Sequence, residues 1–128
     1  MPAFLTDKVS VKVKPSYEAA HSSPAKHEYY FSYSIQISNE GNSAIQLLSR
    51  HWFIFDSNGQ YSEIKGEGVL GEQPIIHPNQ THAYQSFCHL KSDIGMMWGT
   101  YLMKIVDTGK LFEVSIPEFQ MITPMRLN

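Results

Sequence analysis

The residues of this chain with the strongest claim to chemistry are Gly66, Gly68 and Gly71. They stand in a G-x-G-x-x-G spacing within Gly66-Glu67-Gly68-Val69-Leu70-Gly71-Glu72-Gln73-Pro74. That spacing serves phosphate binding when a strand leads into it and a helix leads out, because the glycines admit a pyrophosphate and the helix N-terminus holds its charge. Here Pro74 and Pro78 follow too closely for a helix to begin in register after Gly71. Two readings of the loop remain. In the first, amides freed by the glycines form an anion-binding nest, with Lys65 helping to neutralise the ligand. Glu67 and Glu72 flank that nest and repel a phosphate, so the ligand would have to be a pyrophosphate bridged by a divalent cation such as Mg²⁺. In the second, the glycines serve a connection between sheets that needs positive φ or close backbone approach. The missing strand–helix context favours the second.

Other candidate groups carry less. The six histidines, His21, His27, His51, His77, His82 and His89, show neither an H-x₃-H helix pattern nor cysteine at zinc-ligand spacing. His51, His77 and Glu67 could meet only by an arrangement that no spacing rule supports, so no metal site is predicted. Cys88 and His89 are neighbours in an expected strand and point to opposite faces, which excludes a thiolate–imidazole couple. Ser49, Arg50 and His51 meet the same objection, and no G-x-S-x-G elbow is present. No catalytic constellation is visible, and the chain is expected not to be an enzyme. Met96, Met97 and Trp98, bounded by Gly95 and Gly99, form a candidate interaction loop, since tryptophan is enriched in binding hot spots. Arg50 and Trp52 share a strand face and could stack by cation–π attraction.

The elements that must position these residues read as strands. Val9, Val11 and Val13 alternate with Ser10, Lys12 and Lys14. Tyr29, Phe31, Tyr33, Ile35 and Ile37 repeat the pattern, and Asn39-Glu40-Gly41-Asn42 supplies a turn. Residues 45–56 form a third strand, with Ile45, Leu47, Phe53 and Phe55 in one phase and Leu48, Trp52 and Ile54 in the other. Asn58-Gly59 signals a tight hairpin into a short strand over 61–65. Further strands are predicted over 81–90, 100–106 and 111–116, with 117–128 as a tail along an edge. This spacing predicts an all-β, single antiparallel β-sandwich, immunoglobulin-like and closest to fibronectin type III architecture, because the Cys…Trp…Cys pattern of antibody domains is absent.

Composition bounds the rest. The chain of 128 residues with net charge −2 and one cysteine suits one domain over residues 1–128. No basic block marks a nucleic-acid binder. The lone Cys88 and an N-terminus without a charged, apolar leader predict a cytoplasmic setting, and no apolar run reaches the roughly 20 residues of a membrane span.

Taken together, Ser22-Ser23-Pro24, Leu47-Leu48-Ser49-Arg50-His51-Trp52, the glycine loop, Gly95-Met96-Met97-Trp98-Gly99-Thr100-Tyr101 and Ile116-Pro117-Glu118-Phe119 resemble the ApaG family, also called CorD. The likeness covers nearly the whole chain. Two positions depart from the family's pattern: Asn79 stands where glycine is expected, in a turn that asparagine tolerates, and Leu70 replaces a more usual valine, a change expected to alter only packing. The resemblance implies a single ApaG domain, an association with cobalt and magnesium efflux, a genomic link to diadenosine polyphosphate metabolism, and protein binding in related eukaryotic domains. It supplies no catalytic residues. The expectation is a non-catalytic interaction module with a protein partner. The alternative is a binder of a metal-bridged dinucleotide at Gly66–Gly71. An edge-to-edge homodimer is also open to a sandwich with unpaired strand edges.

Overall fold

In the computed structural model, which describes residues 8–127, eight strands follow one another: β1 (Val9–Tyr17), β2 (Tyr29–Asn39), β3 (Ile45–Asp56), β4 (Tyr61–Glu67), β5 (Ile75–Ile76), β6 (Thr81–Leu90), β7 (Ile94–Ile105) and β8 (Leu111–Ile122). Every pairing is antiparallel. One sheet runs β1-β2-β6 and the other β4-β3-β7-β8, with β5 paired to β3. The two sheets, of three and five strands, form a β-sandwich of fibronectin type III-like architecture. Single 3₁₀ turns at Ala19–His21, Pro24–Lys26 and Pro124–Leu127 complete it.

The alternation read from the sequence places the core. Phe31, Tyr33, Ile35 and Ile37 of β2 are buried against Leu47, Trp52, Tyr101 and Met103 of the facing sheet. Trp52 sits at the centre, with its ring edge-on to Tyr33 at 5.5 Å and to Phe119 at 6.0 Å. The buried Asn39 locks the turn after β2. Its Nδ2 donates to Ser43 O at 2.8 Å and Ile76 O at 2.9 Å, while Oδ1 accepts from Gly41 N.

Three expectations need correction. The register of β3 against β7 shifts between Leu47 and Ser49. This β-bulge turns Trp52 and Ile54 to the side of Ile45 and Leu47, so Phe53 and Phe55 face outward instead. The carbonyl of the extra residue, Leu48, turns out of the ladder and accepts from Gly68 N at 2.8 Å and Gln73 Nε2 at 2.9 Å.

The segment Gly95–Gly99 is not a loop. It lies in β7, where Gly99 lets two strands approach closely: a Cβ there would fall 2.2 Å from His51 O. Finally, residues 117–122 continue β8 rather than starting a tail strand. A second register shift opposite Trp98 takes up Pro117, whose missing N–H needs no ladder partner there.

Candidate functional site

Residues paired in an antiparallel ladder share a face, and register therefore assembles the outer surface of the larger sheet. Glu63, Phe53 and Trp98 form one row. Lys65, His51, Thr100 and Ser115 form the next, and Tyr61, Phe55, Met96 and Gln120 the one on the other side. Because the bulge sends Phe53 and Phe55 outward, aromatic rings gather where a sandwich usually shows polar residues. Phe53 stacks on Trp98 with centroids 5.7 Å apart and planes 12° from parallel. Tyr61 lies 6.3 Å from Phe53 and 6.4 Å from Trp98, and His51 packs on Phe53 at 4.3 Å. His51 is further fixed by Glu63, with Nε2 and Oε1 2.8 Å apart. Tyr61 is 54 % exposed and Phe55 37 %. Shallow hollows flank the aromatic row. One, of about 500 Å³, is bordered by His51, Lys65, Glu67, Thr100 and Glu113. The other, of about 400 Å³, is bordered by Met96, Trp98, Ser115 and Glu118.

This face redistributes the expected interaction residues. Met96 and Trp98 belong to it and are half-exposed, whereas Met97 and Trp52 are core residues. Arg50 points to the inner side, and its Nη1 donates to the carbonyls of Glu67 at 3.1 Å and Gly68 at 2.9 Å. Its guanidinium thus serves the glycine loop, while Trp52 is enclosed by Tyr33 and Phe119. Phe53 and Phe55 share the phase of Ile45 and Leu47 in the sequence and so read as core residues, not as part of a surface. Alternation carried unbroken through Ser49 hides them, and only the bulge reveals them.

The glycine loop is built around β3. Gly66 is the inward-facing residue of β4 opposite Arg50. Val69 and Glu72 exchange N–H···O bonds at 2.8 and 3.0 Å across the two-residue turn Leu70-Gly71, where φ is +49° and +79°. This is a primed hairpin turn. Gly68, at φ +59°, comes so close to Glu72 O that a Cβ would lie 2.0 Å away. The amides of Gly68, Val69 and Glu72 are engaged within the protein, and the loop offers carbonyl oxygens to Arg50. Lys65 lies on the opposite face of β4 from Gly66 and looks over the outer hollow. Leu70 is 65 % exposed in a left-handed conformation, so its effect is on backbone strain rather than on packing. Asn79 adopts φ +66°, the conformation for which asparagine substitutes for glycine.

His77 follows β5 at the Ile45 end of β3, away from the His51–Glu63 pair, and the three residues His51, His77 and Glu67 do not converge. Among the described residues no group of three or more His, Cys, Asp or Glu side chains is placed to hold a metal ion. Cys88 is buried, and burial pushes its thiol up to about 12. Between the sheets, the hydroxyls of Tyr84 and Tyr101 share a hydrogen bond. Burial raises the phenols of Tyr33, Tyr84 and Tyr101, so these groups stay protonated, and the Tyr84–Tyr101 bond is a polar tie between the sheets. No helix among the described residues is long and apolar enough to cross a membrane.

Fold and site thus define a fibronectin type III-like sandwich whose larger sheet carries an exposed aromatic face. The ApaG domain family matches residues 19–105. A protein ApaG of Chromobacterium violaceum is 42% identical over 94% of this chain and 94% of its own length. One from Anaeromyxobacter dehalogenans is 39% identical over the whole of both chains. The crystal structure of a Bordetella pertussis protein described as ApaA is 40% identical, covers 91% of this chain and 94% of its own, and superposes with a TM-score of 0.87. This chain belongs to the ApaG family.

Proposed function

We propose that this chain is a non-catalytic binding module of the cytoplasm that engages a protein partner through the outer face of the β4-β3-β7-β8 sheet, and that this engagement serves cobalt and magnesium efflux. The observation that carries the reading is the aromatic cluster of half-exposed Phe53 and Trp98 with exposed Tyr61, packed on one another and braced by His51 and Glu63. Preordered aromatic rings on a rigid sheet bind with little entropy loss and dominate interface energetics. Desolvation keeps Cys88, Tyr33, Tyr101 and the partly buried Tyr84 protonated, which leaves those groups without an activated nucleophile or base. The efflux role rests on the family resemblance and does not require this chain to hold the ion.

The test uses bacteria lacking their own ApaG protein. The parent chain should restore Co²⁺ tolerance and lower cell cobalt. A Phe53→Ser/Trp98→Ser chain, shown to be folded by its circular dichroism and melting, should not. A folded double variant that restores tolerance fully would refute the assigned surface, and a parent chain without effect would refute the efflux role. The alternative, a Mg²⁺-bridged pyrophosphate at Gly66, Gly68 and Gly71, draws less support from the geometry because the loop's engaged amides bond internally.

A further inference from the structure

We propose that the protein self-associates through the free edge of β6, which pairs antiparallel with β6 of a second copy about a two-fold axis at Gln85. Two three-stranded sheets then become one continuous sheet.

The strand edges of the sandwich differ in how they are protected. An open edge invites pairing with another chain, and proteins blunt it with charge, proline, a bulge or a covering element. β1 carries Lys12, Lys14 and Pro15 and lies against β8. β4 alternates Glu63, Lys65 and Glu67 along its outward residues. β8 has Glu113, Glu118 and Pro117 together with its register shift. β6, Thr81–Leu90, contains no Asp, Glu, Lys, Arg, Pro or Gly, and among the described residues no strand pairs with its outer edge. It also pairs with β2 from Tyr29↔Leu90 to Ser38↔Thr81 without a break.

A second observation points to the same flank. The inward residues of the neighbouring β2 are buried from Phe31 to Ile37, yet the inward His82, Tyr84 and Ser86 of β6 remain half-exposed. On its other face Phe87 is 63 % exposed. The sandwich is not sealed along this side.

Hydrogen bonding sets which groups are free. Tyr30 O accepts from Glu18 N, on the side of β2 away from β6, and Tyr30 is opposite His89. The ladder alternation then turns the N–H and C=O groups of Thr81, Ala83, Gln85, Phe87 and His89 toward the open edge. A two-fold at Gln85 pairs all of these with one another: Thr81 with His89, Ala83 with Phe87, and Gln85 with itself. Moving the axis to Ser86 leaves Thr81 outside the ladder. The Gln85 axis also sets large beside small, Phe87 opposite Ala83 and Tyr84 opposite Ser86, whereas an axis at Tyr84 opposes two tyrosines. Because β6 carries no Asp, Glu, Lys or Arg and the Gln85 axis sets its two histidines opposite Cys88 and Thr81, self-pairing places no like-charged side chains directly opposite each other. This neutral, self-complementary pattern selects a second copy over a charged peptide.

Because Gln85 meets its own copy, the pairing has a specific test. Sedimentation equilibrium of the full chain from micromolar to millimolar concentration should show a reversible dimer. Gln85→Glu and Gln85→Lys each place two like charges in contact and should each weaken the dimer by roughly tenfold or more. An equal mixture of the two variants should form a heterodimer at least as tight as the parent. Gln85 is an exposed strand residue, so both variants should melt like the parent monomer. A chain that stays monomeric at millimolar concentration overturns the proposal and leaves the edge to an extended segment of another protein. A dimer that ignores the charges, or a mixture without rescue, overturns the assigned edge and register.

Discussion

Arg50 lies across the α-carbon of Gly66. A Cβ added at Gly66 would sit 2.7 Å from Nη1 and 2.8 Å from Cζ of the guanidinium. The same guanidinium holds the carbonyls of Glu67 and Gly68. One residue of the G-x-G-x-x-G spacing is therefore a glycine because a cation, not an anion, occupies the space beside it.

Gly66→Ala should displace that guanidinium and lower stability by about 1.5–3 kcal/mol, the range for losing hydrogen bonds to a charged group. In an Arg50→Met background the same substitution should cost much less, because the clash has gone. Urea unfolding of the four proteins gives the coupling. Additive costs would mean that the two residues do not share this space.

Leu70 holds φ +49° at the first central position of a primed turn and is largely exposed. A branched side chain in that conformation costs roughly 1 kcal/mol. Leu70→Asn should stabilise the protein by about that amount, raising the urea midpoint with an unchanged slope. Leu70→Ile should lower it, since β-branching fits positive φ worse.

Burial holds the Cys88 thiol at about 12 against an ordinary 9.0, and it raises Tyr33, Tyr84 and Tyr101 in the same direction. A raised folded-state value means that the native protein keeps protons the unfolded chain releases. Stability from these groups is complete below pH 9 and is lost as pH rises from there through 12. Thermal melts should fall across that window. A thiol reagent at pH 8 should modify Cys88 only on unfolding, and rapid native labelling would contradict the burial.

An amide NMR titration with a diadenosine polyphosphate, with and without Mg²⁺, should leave Gly66, Gly68 and Gly71 unmoved at millimolar ligand. Gly68 N already donates to Leu48 O at 2.8 Å, and the Val69–Glu72 pair closes the turn beside it. Saturating shifts that require Mg²⁺ would instead promote the nucleotide reading above the interaction face.

Most of the architecture was written in the alternation of apolar and polar residues. Tyr29 to Ile37 and Leu111 to Ile116 declare strands with one buried face and Val9 to Val13 one with a half-buried face, and turn chemistry at Asn39-Glu40-Gly41-Asn42 and Asn58-Gly59 separates strands. The absence of a helix after Gly71 followed from Pro74 and Pro78. The family was legible in the motifs themselves. The candidate surface was not. A bulge adds one residue to one strand and inverts every side chain beyond it, and nothing local in Leu47-Leu48-Ser49 announces that Leu48 O will turn toward Gly68 and Gln73. That contact joins residues 20 or more positions apart in the chain. Periodicity within a strand determined where strands lie. Only pairing between strands decided that Trp52 is core, that Phe53 and Trp98 are surface, and that Arg50 serves the loop.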